Sequence, residues 1–369
     1  MTTITPARSL ASRRSLQDTV RAGRTAIREA RLPAAKILGR VGLRPAVDSE
    51  SMTDRERPFI GSVPATTAVA VIAGALILWV SGAGLYPQTV VGLGAGYLIS
   101  ALGYNVVLGN AGQFAFCQSA FMAVGAYGYA VAQPRMGTWP ALVIAVAVVP
   151  LVGAIVGIAV LRTNEIYLAL ITLAFAQAVA LAIELWQPTG GDNGILVAFG
   201  GSQICVITVV VAAVALLATQ RLVRSPFGLS MAMIRTDEAA ATAMGVNVTR
   251  VRVTAFALSG LYGGISGILI AAVLTFVTPT NFTLELSLML LTMIVVGGVT
   301  SVWGTVFGVL IIYLVRQEIP SIGEIGSYID AGVLFLILMS RPRGLATLIR
   351  LRTTAEADAY APRADGVIK

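Results

Sequence analysis

Between residues 64 and 340 the chain is a succession of apolar runs of about 20 residues, separated by polar turns and by one long basic interruption. A run of that length, wound as an α-helix, spans a hydrocarbon core of about 30 Å. Inside such a core every backbone N–H and C=O must be bonded within the protein, and a helix does this by itself. Composition agrees, with 56% hydrophobic and 12% charged residues, against roughly a quarter charged in a soluble domain. The expected fold class is therefore all-α, a polytopic integral membrane helical bundle.

Candidate spans fall at 64–82, 89–108, 112–132, 140–161, 165–186, 204–220, 252–277, 283–300, 302–319 and 325–340, about ten transmembrane helices. Six precede the basic interruption and four follow it, so the interruption and both termini share the cytoplasmic side. Of the 26 Lys and Arg, all but Arg135 and Arg316 then lie inside, as the positive-inside bias requires. Two regions are irregular. Residues 109–132 carry Asn110, Gln113 and Gln118, and residues 283–319 are interrupted by Gly297, Gly298, Thr300, Ser301 and Gly304. Each is read as a full span or as re-entrant backbone, which a membrane tolerates only where protein or water covers it.

Three units follow. Residues 1–63 form a basic cytoplasmic extension in which Arg21, Arg24, Arg28 and Arg31 share a helical face until Pro33, so it is a membrane-surface helix or a disordered tail. Met52 is an alternative start. Residues 64–350 form the transmembrane domain with its cytoplasmic loop 221–252, and residues 351–369 are a polar cytoplasmic tail. The net charge of +8 gathers in these cytoplasmic stretches, which fits a membrane orientation signal; no nucleic-acid partner is expected.

Several chemistries are excluded. The chain has no histidine, which removes Ser-His-Asp and Cys-His catalysis and His-based metal sites. Its lysines are Lys36 and Lys369, neither preceded by glycine, so a phosphate-cradling Gly-Lys loop is impossible. Cys117 and Cys205 lack the spacing of a disulfide framework or a zinc site and are read as packing residues. No catalytic residue and no metal ligand is expected, and any ATP used must be bound by another polypeptide.

The loop 221–252 is the one sizeable polar island. Pro226 and Gly228 break the preceding helix, Asp237 and Glu238 suit the first turn of a new one, Ala239 to Ala243 favours helix, and Gly245 can end it. A short, small-sided surface helix can seat in a groove of a motor subunit; the alternative is a solvated connector. Arg235, Asp237, Glu238, Ala241 and Gly245 are the candidate coupling residues. Asn105, Asn110, Gln113, Gln118, Thr172, Gln177 and Asn281 are candidates for a polar pathway through the bundle, or else interhelical hydrogen bonds. Glu184 is the one carboxylate well inside a span, near its outer end. Asp192 and Asn193, in the outer loop 187–203, are candidates for meeting an extracytoplasmic protein, the alternative being a glycine turn. Glycine pairs four apart, such as Gly260 with Gly264 and Gly263 with Gly267, are read as helix-packing sites within the chain.

Six ordered blocks then carry a resemblance. They are NVVLGNAGQF from Asn105 with AFMAVGAY from Ala120, YLALITLAFAQ from Tyr167, TGGDNGI from Thr189, IRTDEAAATAMGVN from Ile234, GGVTSVWG from Gly297, and RPRGL from Arg341. Together they resemble the M-type permeases of high-affinity branched-chain amino acid ABC transporters, across residues 64 to 350. The family usually has Ser where Ala115 stands, a small residue and then Gln or His where Cys117 and Gln118 stand, and Arg where Leu229 stands. The resemblance implies a non-catalytic permease subunit in a bacterial plasma membrane, with no cofactor of its own. Its implied partners are a homologous second permease, two cytoplasmic ATPase subunits that hold ATP and Mg, and an extracytoplasmic solute-binding protein, in the lipid bilayer. Urea and short-chain amide permeases are closely similar, so both cargoes remain open, as do a homodimer and a stand-alone ion-coupled transporter.

Overall fold

The computed structural model describes residues 74–77, 82, 84–160, 165–197 and 203–318. The extension 1–63, most of the span 64–82, the span 325–340, the Arg341 to Leu345 motif and the tail 351–369 lie outside the described residues.

The bundle comprises α1 (Leu85–Asn105), α2 (Gln118–Met136), α3 (Thr138–Val160), α4 (Glu165–Leu185) and α5 (Gln203–Arg224). The island folds as α6 (Pro226–Thr236) and α7 (Glu238–Ala243), followed by α8 (Val248–Leu274), α9 (Leu284–Gly297) and α10 (Val302–Glu318). Among the described residues six helical segments are long and apolar enough to cross a membrane: α1 with the turn that follows it, α3, α4, α5, α8, and α9 with the turn before it. Two short strands, β1 (Ile195–Leu196) and β2 (Phe276–Val277), pair antiparallel at the end of the bundle opposite the island.

The helix α8 is the axis of the assembly and packs against α1, α2 and α3. Its glycines make this possible. A Cβ on Gly267 would stand 2.0 Å from the Met122 carbonyl oxygen of α2, and one on Gly125 of α2 would stand 2.4 Å from that of Gly264. On the α3 side, Gly153 meets the Phe256 carbonyl and Gly260 meets that of Val149 in the same way. Small residues bring backbones together where lipid supplies no hydrophobic drive between helices, and each of these contacts lies within the chain.

The irregular regions resolve differently from simple spans. After α1 the chain makes a π-helical turn, Val106–Asn110, runs without helix to Cys117, and starts α2 only at Gln118. The expected span 112–132 is thus displaced and runs to Met136. Although α2 carries Gln118, Ser119, Tyr127 and Tyr129, those residues are buried among its neighbours, and a helix shielded by protein has no need of an apolar surface. Likewise Gly298, at φ 107, reverses the chain between α9 and α10. These two pack as a hairpin in which a Cβ on Gly308 would stand 1.8 Å from the Met293 carbonyl oxygen. Arg316 pairs with Glu285 at 3.2 Å across the open end of the hairpin, and Tyr313 donates to the Val90 carbonyl of α1 at 2.9 Å.

Replacing Gly267 by valine should force α2 and α8 apart and lower stability by about 1–3 kcal/mol. The thermal midpoint of the detergent-solubilised protein would report this, with Gly84→Ala, whose added Cβ meets nothing within 4 Å among the described residues, as the control expected to stay unchanged.

Candidate functional site

The two backbone breaks meet. Asn105, fully buried at the end of α1, donates through Nδ2 to the Val299 carbonyl at 3.0 Å and to Thr305 Oγ1 at 2.8 Å. Its Oδ1 and its carbonyl accept from Asn110 Nδ2, both at 3.3 Å. The tip of the α9–α10 hairpin therefore sits against the π turn, and Gly109 lacks a Cβ where one would lie 2.0 Å from the Val299 oxygen. One asparagine side chain thus pairs a hairpin carbonyl that the helices leave free and also bonds the side chains of Thr305 and Asn110.

A second polar line crosses the middle of the bundle. Ser259 of α8 donates to Gln118 Oε1 at 2.9 Å, and Gln118 Nε2 donates to the carbonyl and hydroxyl of Ser100 on α1, both at 3.1 Å. Ser287 of α9 donates to Ser119 Oγ at 2.8 Å and accepts from the Ser119 N–H at 2.9 Å. Thr172 of α4, also buried, accepts from the Phe116 N–H at 3.0 Å. Thus Asn105 and Gln118 are occupied as ties between helices, and Thr172 as a tie from α4 to the non-helical segment before α2. Gln113 differs: it is 6% exposed, and its Oε1 has no hydrogen-bond partner among the described residues. Of the predicted pathway residues it keeps polar capacity to offer.

Two of those residues lie elsewhere. Gln177 is on an exposed part of α4. Asn281 is exposed, and its Oδ1 accepts from the Thr278 N–H at 3.1 Å and bonds the Thr278 hydroxyl, capping the turn Pro279–Phe282 at the end opposite the island. Its polar group is spent on a local cap, which corrects its expected place in the pathway. Residues that sequence reasoning missed are Ser100, Ser259, Ser287 and Thr305. No short-range pattern marks them, since small hydroxyl residues are common in apolar helices.

At the island, local chemistry sets the shape. Ser225 caps α6, accepting from the Gly228 N–H at 3.3 Å, and Pro226 opens the helix, where its missing N–H costs nothing. Asp237 caps α7, its Oδ1 accepting from the Ala239 and Ala240 N–H groups at 2.9 and 3.1 Å. The helix ends in a paired motif, with the Gly245 N–H bonded to Thr242 O at 2.9 Å and the Val246 N–H to Ala241 O at 3.1 Å. Gly245 adopts φ +84 there, which a side chain would strain. Glu238 pairs with Arg252 of α8 at 2.7 Å. Ala241 is 1% exposed and packs with Met231, Ile234 and Val251, so it anchors the helix and cannot itself face a partner. Ala239, Ala240, Thr242, Ala243 and Met244 form the exposed side.

Among the described residues charge lies at the two ends. Among the described side chains, Arg221, Arg224, Arg235, Asp237, Glu238, Arg250 and Arg252 belong to the island end, and Arg135, Glu184, Asp192, Glu285 and Arg316 to the other. Asp192 and Asn193 are exposed in a turn beside β1, and Glu184 is exposed near the end of α4. The described residues hold no cluster of three or more metal-ligating side chains. Cys117 and Cys205 are free, buried, and packed in separate clusters.

Charged ends, bonded backbone breaks and a capped surface helix define a multi-pass helical membrane protein. The family model described as "Branched-chain amino acid transport system / permease component" matches residues 86–339, and the chain belongs to that family of inner-membrane proteins. It is 29% identical over 290 residues to the high-affinity branched-chain amino acid transport system permease protein LivM of Salmonella typhimurium, covering 69% of this chain and 68% of the relative. The Escherichia coli LivM protein is 28% identical over the same shares. A probable ABC transporter permease protein of E. coli, YphD, is 34% identical over 106 residues, 27% of this chain and 32% of that one. No solved structure matches.

The Asn105 junction predicts a graded series. Asn105→Ala strands the half-buried Val299 carbonyl and should cost about 1–3 kcal/mol, whereas Thr305→Val removes one of two acceptors and should cost roughly 0.5–1.5 kcal/mol. Denaturation of the purified protein in detergent would rank the two.

Proposed function

We propose that this chain is the transmembrane permease subunit of an ATP-driven ABC importer that carries branched-chain amino acids across the plasma membrane. The family match carries this reading, and the islanded helix α7 supplies its physical basis. Both ends of α7 are capped by its own residues, and Ala241 and Val246 pin its inner side. Its exposed side is small and nearly featureless, which suits insertion into a groove of a cytoplasmic ATPase subunit. The chain itself is non-catalytic: ATP and Mg²⁺ belong to two ATPase partners, and substrate is delivered by an extracytoplasmic binding protein. A homologous second permease completes the membrane part. Among the described side chains the charges lie at the two ends of the bundle, which favours an externally driven transporter over an ion-coupled carrier with ionisable groups within its spans.

Coupling falls to the exposed residues of α7 together with Glu238, with Asp237 and Gly245 shaping the helix. Asp192 and Asn193 lie at the opposite end, on the surface open to a binding protein. Along the pathway, Gln113 offers an unpaired acceptor, and release of the ties at Asn105, Gln118 or Thr172 would expose more. A zwitterionic cargo moving between such groups needs weak, exchangeable hydrogen bonds.

The test is uptake of labelled leucine, in parallel with labelled urea, into proteoliposomes holding the complete assembly. ATP-dependent leucine uptake is expected; urea uptake would keep the mechanism and change the cargo, and gradient-driven uptake by this chain alone would overturn the proposal. Ala239→Arg, which changes an exposed side chain, should reduce co-purification of the ATPase subunits and uptake by about tenfold or more, on the scale of a buried unpaired charge at an interface.

A further inference from the structure

The island touches the broken backbone through one side chain. Arg235, in the last turn of α6, donates through a guanidinium N–H to the Gly109 carbonyl at 2.6 Å, 126 residues away in sequence. Its stem lies over Gly112: a Cβ on that glycine would stand 2.8 Å from Arg235 Cγ, and Gly112 itself sits at φ +71. The same helix seats Met231 and Ile234 against Val106, Val107, Ala111 and Ala115. Arg235 therefore faces this chain's own backbone with its charged group, not only the surface at which sequence reasoning placed it.

The acceptor is unusual for a helix carbonyl. Because α1 ends in a π turn and residues 111–117 are not helical, the carbonyls of the turn lack the regular partners that a continuing helix would provide. Val106 O accepts from Ala111 N–H at 3.2 Å and Val107 O from Gln113 N–H at 3.0 Å. Gly109 O is met by Arg235. The other side of the same turn holds the hairpin tip, through Asn105 to Val299 and Thr305. A continuous mechanical path thus runs from α6 through the Arg235 guanidinium and the π turn to the loop between α9 and α10.

We infer that Arg235 is the positioning residue through which the island moves the transmembrane breaks: its charged bond to the Gly109 carbonyl makes displacement of α6 shift the Val106–Asn110 turn and, with it, the hairpin tip. This deepens the importer reading and rests on it for the source of the displacement. A charge-assisted bond suits the task, being short and directional. Lysine retains the charge and can donate but lacks the planar fork.

Two measurements test it. The first needs no transport: Cys117 ends the non-helical segment and is 2% exposed, while Cys205 is 6% exposed in a different cluster. Maleimide labelling of the purified full chain, read at each cysteine by mass spectrometry, should rise about tenfold at Cys117 in Arg235→Ala, the scale of a lost charged hydrogen bond, with Cys205 unchanged and Arg235→Lys intermediate. No change at Cys117, or an equal rise at both, would overturn the inference. The second uses the complete reconstituted assembly. Arg235→Ala should keep its ATPase subunits and their hydrolysis while moving about tenfold less substrate per ATP, with partial rescue by lysine. Unchanged stoichiometry, or loss of the ATPase subunits, would assign Arg235 to another role. A wild-type assembly that moves neither leucine nor urea would sink the importer reading, and the Cys117 labelling would still decide whether Arg235 holds the turn.

Discussion

Everything in the bundle answers to one constraint: backbone polar groups removed from water must be bonded within the protein. Regular helices meet it alone, so α3 and α4 can expose Leu151, Ile155, Leu170 and Leu181 without further provision. Two places break the rule, the stretch after Asn105 and the reversal at Gly298. They are solved together, because Asn105 bonds the carbonyl of Val299 and the side chain of Thr305. Each break covers the other, and glycine at 109 lets them touch.

Close approach is the condition for those bonds. The serine and glutamine ties between α1, α2, α8 and α9 reach only short distances, and hydroxyl groups on small residues can pair only where backbones nearly touch. Gly96, Gly125, Gly264 and Gly267 create that proximity; Ser100, Gln118, Ser259 and Ser266 use it. Glycine packing and buried hydrogen bonds are thus one device in this fold.

Much of this was legible in the chain. The irregularity of 109–132 and of 283–319 followed from Asn110, Gln113 and the Gly297-Gly298 pair, and the end of α7 followed from Gly245, whereas Asp237, expected in the first turn of that helix, is its N-cap. What escaped was which neighbour each side chain would meet. Asn281 looked like a lining residue, but a threonine three positions earlier captured it. Ala241 looked like part of a docking face, but the one inward position of a six-residue helix fell to it. Arg235 looked like a surface charge until Gly109 appeared beneath it.

The sequence by itself determined the membrane class, the placement of the apolar runs, the polar island and its helix ends. Those properties depend on a residue and its neighbours within about four positions, or on burial in a solvent that selects composition directly. Tertiary structure alone decided which polar side chains are tied, which atom, such as Gln113 Oε1, has no partner among the described residues, and which element bears on the broken backbone. Partners 126 to 200 residues apart meet only after helices have packed, and their pairing depends on interhelical geometry that no local pattern encodes.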